Sequence, residues 1–273
     1  MFDKISLAGD LGSGKSTVSA ILIERLGAEY YSTGSIVRSI AAKMGMSVVE
    51  LNKYMETHPE IDNEIDDGLV ALSEIDKLLI IDSRMAWHFT KDTFKVYLSC
   101  GVETGALRIM NAHREGEHAL TFEDTVADTR RRRQSEQKRY MQQYGVDIKN
   151  LSNYSLVVDT AYASPEEVAE VIINSFRHWQ SERTARFCYL SPERIYYPDD
   201  APNGELLSSL IADMEEGRPL PEVKVVEREG EFYLFEGLES ALAHSFNMST
   251  YIPATLTEGD LGDKQFVRMK NSI

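Results

Sequence analysis

The chain has 273 residues, enough for one large domain or two modest ones. It is 42% hydrophobic and 27% charged, a globular composition that excludes disordered, collagen-like and coiled-coil chains. The net charge of −15 argues against a nucleic-acid coat or an anionic-membrane binder, because both need a positive surface. A small anionic substrate is compatible with this charge, since it needs only a local basic pocket.

Other features of the sequence predict a cytoplasmic protein. No segment approaches the roughly 18 consecutive apolar residues of a membrane-spanning helix. The N-terminus, MFDKISLAGD, lacks the basic start of a signal peptide. Cys100 and Cys188 are too few for a disulfide framework, so we expect buried thiols in a reducing compartment. The six histidines show no metal-ligand spacing.

The first 181 residues alternate between strand and helix patterns. Strands are predicted at residues 4–8, 78–81, 94–98 and 156–158. Helices are predicted at residues 17–26, 36–44, from 47 onward, 61–72, 102–113, 122–143 and from 164 onward. This alternation predicts an α/β domain, residues 1–181, with an open parallel sheet and helices on both faces.

Residues 182–273 follow a different pattern. They begin within the polar stretch QSERTAR and contain six of the eight prolines. The pattern predicts a helix at 206–215, a hairpin of strands 223–226 and 232–235, a helix at 238–246 and a strand at 251–256. We therefore expect a second, small α+β domain.

The strongest motif is GDLGSGKS at residues 9–16, which fits G-x-x-x-x-G-K-[ST] between a predicted strand and a predicted helix. Its glycines let the backbone curl until several N–H groups converge on one phosphate, and the following helix adds its positive dipole end. Lys15 supplies a charge for the β- and γ-phosphates, and Ser16 can bind Mg²⁺. The predicted nucleotide-binding set is Gly9, Asp10, Leu11, Gly12, Ser13, Gly14, Lys15, Ser16 and Thr17. The motif alone does not separate a kinase from a GTPase, an ATPase motor or a sulfotransferase.

Two further motifs place cationic side chains near strand ends. In STGSIVR a strand end turns into a helix, where Thr33 and Arg38 can face an anion. Asp82 and Arg84 directly follow a buried strand, and ligands of open parallel sheets bind beyond such carboxyl ends. Arg84 can hold a phosphate there, and Asp82 can orient Mg²⁺ through water.

The long predicted helix carries a third basic group. Arg132, Glu136 and Arg139 are spaced i, i+4 and i+7, so they share one helical face. A phosphoryl transition state spreads its charge over equatorial oxygens, which arginines stabilise strongly. A solvated, salt-bridged face is the alternative interpretation of the same spacing.

Taken together, these segments resemble the nucleoside monophosphate kinases, and most closely the short, archaeal-type cytidylate kinases. The resemblance spans about residues 3–175 and rests on the segments GDLGSGKST, STGSIVR, AAKMGMSVVELNKYMETHPEIDNEID, DSRMAW and RRQSEQKRYMQQYGVDIKNLSNYSLVVDT. It implies a five-stranded parallel core, a helical monophosphate-binding segment and a closing lid around the arginine helix. It also implies transfer of the γ-phosphoryl group of ATP to CMP or dCMP.

The resemblance implies a role for each matching residue. The catalytic residues would be Lys15, Arg84, Arg132 and Arg139. The acceptor would be bound by Thr33, Arg38, Arg84 and Glu136, and Mg²⁺ would be held by Ser16 and Asp82. Two alternatives stay open, a P-loop kinase of another small acceptor and a catalytically inactive nucleotide-sensing protein. The presence of Arg84, Arg132 and Arg139 argues against the second.

Residues 187–256 faintly resemble ParB/sulfiredoxin-like domains, through YLSPERI and the segment that follows it. That family usually has an arginine-containing turn where this chain has EGLES, residues 236–240, so the expected phosphate ligand is missing. The part of the chain from residue 185 onward has 16 acidic and 8 basic residues, and this negative charge disfavours DNA binding. We expect a non-catalytic regulatory or oligomerisation module; a domain kept only for packing is the alternative.

Overall fold

The computed structural model describes residues 3–55, 57–112 and 121–268. Within these residues eleven strands form one sheet: β1 (Lys4–Gly9), β2 (Glu29–Ser32), β3 (Leu79–Asp82), β4 (Thr93–Ser99), β5 (Leu156–Asp159), β6 (Phe187–Leu190), β7 (Ile195–Pro198), β8 (Val223–Arg228), β9 (Glu231–Glu236), β10 (Ile252–Leu256) and β11 (Phe266–Arg268). Their order across the sheet is β11-β7-β9-β8-β10-β6-β5-β4-β1-β3-β2.

The helices of the described residues are α1 (Lys15–Leu26), α2 (Thr33–Met44), α3 (Val48–Met55), α4 (Pro59–Ala71), α5 (Ala86–Phe89), α6 (Val102–Asn111), α7 (Phe122–Tyr144), α8 (Pro165–Ser181), α9 (Gly204–Glu215) and α10 (Leu238–Phe246). None of them is long and apolar enough to cross a membrane. Residue 113, the predicted end of the 102–113 helix, lies outside the described residues.

The first five strands are all parallel and lie in the order β2-β3-β1-β4-β5, which confirms the expected five-stranded core. Alternate side chains of these strands point to opposite faces. Ile80 and Val158 pack with α1 and α8, whereas Leu79 and Ile81 pack beneath α4 and α7. Helices therefore cover both faces, as the sequence predicts.

Local sequence signals set several helix boundaries. Ser164 accepts a hydrogen bond from the Glu167 backbone N–H, and the Glu167 side chain accepts one from the Ser164 N–H, so the predicted capping box starts α8. Ser47 and Glu50 form the same pair before α3. The strands β6, β7 and β11 have only three or four residues each, and no strand is predicted for them from the sequence.

The segment that begins at residue 182 joins the same sheet. Strand β6 pairs in parallel with β5 and antiparallel with β10, and β7 to β11 continue outward from there. One apolar cluster contains Tyr97 and Val157 from the first part together with Leu190 and Phe232 from the second. The predicted division at 181/182 thus falls between α8 and β6, in a sheet and a core that both parts share.

Candidate active site

The phosphate-binding loop lies between β1 and α1, at the carboxyl end of the parallel strands. Its backbone touches neighbouring backbone: a Cβ on Gly9 would lie 2.4 Å from the Leu98 carbonyl oxygen, and one on Gly12 would lie 2.3 Å from that of Gly105. Gly14, with φ at 82°, is the N-cap of α1 and makes no side-chain cap. The first N–H groups of α1 therefore lack a side-chain partner from their N-cap, which is the usual arrangement of an anion site.

Lys15 folds back over the loop. Its Nζ donates hydrogen bonds to the carbonyl oxygens of Gly9 and Asp10, each at 3.2 Å. Burial and the neighbouring Arg84 guanidinium lower the pKa of Lys15 to about 8. A phosphate would offer this ammonium stronger partners than two neutral carbonyls do.

Arg84, just beyond β3, reaches the same part of the loop. Its Nη1 donates to the Gly9 carbonyl oxygen at 2.9 Å, and its Nε lies 2.8 Å from Oε2 of Glu136 on α7. Burial lowers the pKa of Arg84, but Glu136, Tyr140, Tyr97 and Asp82 together outweigh that effect and the pKa lies above its ordinary value. Asp82, at the end of β3, accepts a hydrogen bond from Tyr30 at 3.1 Å and raises the pKa of Lys15 by its charge. The structure thus brings Lys15, Asp82, Arg84 and Glu136 together.

Asp10 is a buried carboxylate inside the loop. It accepts hydrogen bonds from the Tyr97 hydroxyl at 2.8 Å and from the Cys100 N–H at 2.9 Å, and it forms an ion pair with Lys149. Arg133 lies 3.6 Å from the same carboxylate. Burial raises the pKa of Asp10, but Lys149 and Arg133 more than offset this and hold it at about 2.

The partners of Asp10 were not predicted from the sequence. A carboxylate in an anion-binding loop is unfavourable unless a cation neutralises it, so its presence could have prompted a search for such a cation. Arg108 of α6 was missed as well; it donates to the carbonyl oxygen of Gly12 at 3.4 Å and to the side chain of Thr160 at 3.2 Å. Nothing in its local sequence distinguishes it from a surface arginine.

A second pocket lies beside the loop, between the helices of residues 33–71 and α7. Side chains from three parts of the chain line it: Thr33, Val37, Met55, Asp62, Ile65, Asp66, Leu69, Ser83, Met85, Arg139, Tyr140 and Tyr144. The Arg139 guanidinium lies 5.0 Å from the centre of the Tyr140 ring. The Tyr144 hydroxyl donates to Asp66, and burial raises the pKa of both Asp62 and Asp66. Thr33 and Arg139 of the predicted set therefore share one pocket.

Two predicted arginines lie outside these clusters. Arg132 is exposed on α7, and Arg38 is exposed on α2. A Cβ on Gly34 would lie 3.4 Å from Nη1 of Arg38, so this guanidinium lies over the first turn of α2. Ser16 and Thr17 are exposed at the mouth of the loop. Within the described residues no three His, Cys, Asp or Glu side chains are arranged to hold a metal ion.

The chain matches a known family model and resembles several solved structures. A family model described as an AAA domain matches residues 5–124. Among solved structures, shikimate kinase from Aquifex aeolicus shares 20% identity at a TM-score of 0.42, covering 66% of this chain and 98% of that one. That likeness is too loose to add to the fold assignment, which rests on the strand order and the loop.

Curated relatives match much more closely. Cytidylate kinase of Sulfurisphaera tokodaii is 36% identical over 170 residues, which are 62% of this chain and 92% of that protein. Cytidylate kinase of Thermoplasma volcanium is 39% identical over 175 residues, which are 63% of this chain and 90% of that protein. Such identity across nearly a whole relative confirms the resemblance seen in the sequence: the chain belongs to the cytidylate kinase family.

Proposed function

We propose that the protein transfers the γ-phosphoryl group of ATP to CMP or dCMP, giving ADP and the nucleoside diphosphate. The observation that carries this proposal is the convergence of Lys15 and Arg84 on one carbonyl of the loop, beside a separate pocket that can take an acceptor. The relatives described above are cytidylate kinases, which supports the same reaction.

The loop fits ATP and Mg²⁺. Gly14 has open space around it, and α1 presents its N-terminal N–H groups without a side-chain cap. The backbone of residues 9–14 and Lys15 would hold the phosphates, while Ser16 and Asp82 would hold Mg²⁺, the latter through water. When bound, Mg-ATP supplies the phosphoryl group that is transferred.

The remaining predicted residues are proposed to bind the acceptor and stabilise the transferring group. Thr33, Arg38, Arg84 and Glu136 would hold the monophosphate; Arg132 and Arg139 would contact the transferring group. Arg84 now donates to a neutral carbonyl, so an acceptor phosphate would be a better partner for it. This chemistry rests on positioning and charge and needs no essential general base.

The first experiment measures ADP release from ATP with CMP, dCMP, UMP, AMP or no acceptor. We expect ADP only when CMP or dCMP is present. Equal turnover without an acceptor would indicate an ATPase, and binding without turnover would indicate a nucleotide sensor. Thermal unfolding checks binding separately, because a ligand at 100 times its Kd adds about 2.7 kcal/mol of stability.

Lys15→Ala should abolish the acceptor-dependent reaction. It removes the ammonium that the loop holds at its phosphate site, and we expect a loss of roughly a hundredfold or more in kcat/KM. The matched control is Lys77→Ala. Lys77 is exposed before β3, at the opposite end of the strand, and pairs only with surface Glu29 in the contacts described. Activity equal to wild type in Lys15→Ala would remove this residue from the mechanism.

The segment 182–273 is proposed to regulate the kinase or to join two copies of the chain. Phe246 and Met248 at the end of α10 are 67% and 90% exposed, which supports a contact surface there. The ParB/sulfiredoxin-like relationship of residues 187–256 stays a prediction. Sedimentation velocity at several concentrations tests whether two copies of the chain associate.

Both cysteines are buried and unpaired with each other, which supports a cytoplasmic location.

A further inference from the structure

Arg194, a buried side chain of the segment after residue 181, contacts residues that pack near the phosphate-binding loop. We propose that Arg194 is a positioning residue of the kinase site and holds this loop from the carboxyl end of β5. Since the loop is taken to bind ATP, the assignment rests on the function proposed above. Arg194 lies after residues 3–175, which carry the family resemblance, so it belongs to a segment that this resemblance does not cover.

Arg194 ends a short 3₁₀ turn, Pro192–Arg194, between β6 and β7, and its side chain is only 3% exposed. Its Nε donates to Oδ1 of Asp159 at 3.2 Å, its Nη1 to Oε2 of Glu231 at 3.0 Å and its Nη2 to the carbonyl oxygen of Gly230 at 3.1 Å. The guanidinium therefore joins the end of β5 to the turn between β8 and β9.

A first set of contacts leads from Arg194 to the loop through side chains. Asp159 is followed by Thr160, whose side-chain and backbone oxygens both accept hydrogen bonds from Arg108. The same Arg108 donates to the carbonyl oxygen of Gly12 in the loop. A displacement of the end of β5 would therefore move the Arg108 guanidinium, and with it the carbonyl of Gly12.

A second set of contacts leads there through backbone. A Cβ on Gly101, the N-cap of α6, would lie 3.0 Å from Nη1 of Arg194, so the guanidinium packs directly on the start of that helix. One turn later Gly105 touches the loop: a Cβ on Gly105 would lie 2.3 Å from the carbonyl oxygen of Leu11. The start of α6 is therefore held between Arg194 and the phosphate-binding loop.

The positive charge of Arg194 also compensates the buried carboxylate of Asp159. Asp159 is completely buried, and burial raises the pKa of its carboxyl, an effect that the Arg194 guanidinium opposes. Removing one member of a buried ion pair leaves an uncompensated charge, which the structure relieves by moving or hydrating the site. Because both sets of contacts end at residues 11 and 12, such a movement changes the geometry that ATP meets and leaves the pocket lined by Thr33 untouched.

The test measures the affinity of Mg-ATP and of CMP separately, by titration calorimetry on the full chain. Arg194→Met should weaken ATP about tenfold and CMP less than about twofold. Arg194→Lys keeps the charge and should recover part of the ATP affinity. Arg218→Met is the matched control, because Arg218 lies in the same segment, is half exposed and pairs only with surface carboxylates in the described contacts.

Several outcomes would overturn the assignment. A folded Arg194→Met protein that binds ATP as wild type does excludes it, and an equal loss of ATP and CMP affinity shows a general structural effect instead. If Arg194→Met does not fold, the double variant Arg194→Met/Asp159→Asn buries no unpaired charge and undergoes the same measurement; unchanged ATP affinity there also excludes the assignment. Wild-type protein that binds ATP without phosphorylating CMP ends the proposed function but leaves this test valid.

Discussion

At the scale of single residues, Asp10 explains how a negative side chain can lie inside a phosphate-binding loop. Its two oxygens are taken up by Tyr97, the Cys100 N–H and Lys149, and Arg133 adds a second positive charge nearby. The carboxylate is therefore neutralised where it lies, and it ties the loop to the end of β4. The phosphate site proposed above lies at Lys15 and the first turn of α1.

The depressed pKa of Asp10 predicts how stability depends on pH. The folded-state pKa is about 2, below the ordinary 3.8, so the ionised form is stabilised by folding. This contribution, about 2 kcal/mol, is complete above pH ~4 and is lost as the pH falls from about 4 towards 2. Asp10→Asn should lower the free energy of urea unfolding by about that amount at pH 7, with a smaller difference at pH 3.

The control for this titration is Asp260→Asn, which removes a carboxylate that is 93% exposed. Because this side chain is exposed, its removal should change the stability by no more than about 0.5 kcal/mol. A constant difference between wild type and Asp10→Asn over the same range would contradict the ion pairing of Asp10.

Lys15 predicts a second pH dependence, this time of activity. Its pKa is lowered to about 8, so the free protein loses this charge as the pH rises through that value. We expect kcat/KM for ATP to fall above pH 8, because this parameter reports the ionisation of the free enzyme. Lys15→Arg, which stays charged, should be less active but should not show this decline. A decline in both proteins would assign it to another group.

At the scale of secondary structure, α7 connects the two parts of the site. Glu136 pairs with Arg84 at the loop, Arg139 lines the second pocket, and Tyr144 donates to Asp66 beside it. The sequence predicts a shared face for residues 132, 136 and 139, and the structure turns Arg133 rather than Arg132 towards the loop. Both arginines are within one turn of Glu136, so spacing alone does not distinguish between them.

The exposed position of Arg132 gives a test of its proposed role. Arg132→Gln should lower kcat by about tenfold or more if the side chain reaches the transferring group during turnover. Its thermal stability should not change, since exposed substitutions have effects within about 0.5 kcal/mol. Arg131→Gln is the control, because Arg131 is 76% exposed and pairs with Asp128 instead. Full activity of Arg132→Gln would remove Arg132 from the mechanism.

At the scale of the whole molecule, the sheet and one apolar cluster cross the predicted boundary at residue 182. Strand β6 covers the edge of β5, and Leu190 and Phe232 share a core with Tyr97 and Val157. Arg194 adds a buried ion pair between the two parts. Apolar side chains of the first part would face water without the second.

Shortening the chain to residues 1–181 should therefore destabilise it. The exposed edge of β5 and the uncovered apolar residues favour aggregation and the binding of hydrophobic dyes. We expect a lower unfolding temperature and stronger dye fluorescence than for the full chain. A shortened chain that unfolds cooperatively at the temperature of the full chain would instead support two independent domains.

Features that depend on near neighbours in the chain were predictable. The phosphate-binding loop, the capping box of α8, the helix at 238–246 and four of the five parallel strands follow from patterns only a few residues long, because backbone conformation and amphipathic periodicity act at that range. The family resemblance follows from the same motifs.

Features that depend on distant segments needed the folded chain. The partners of Asp10 come from residues 97, 100, 133 and 149. Arg194, between β6 and β7, pairs with Asp159 at the end of β5 and with Gly230 and Glu231 at the start of β9. No local pattern predicts such contacts, since they are set by which strands pair and which helix faces them. Motifs along the chain define the chemistry of this kinase, whereas packing between remote segments decides which charges are buried, which are neutralised and which stay free to meet a phosphate.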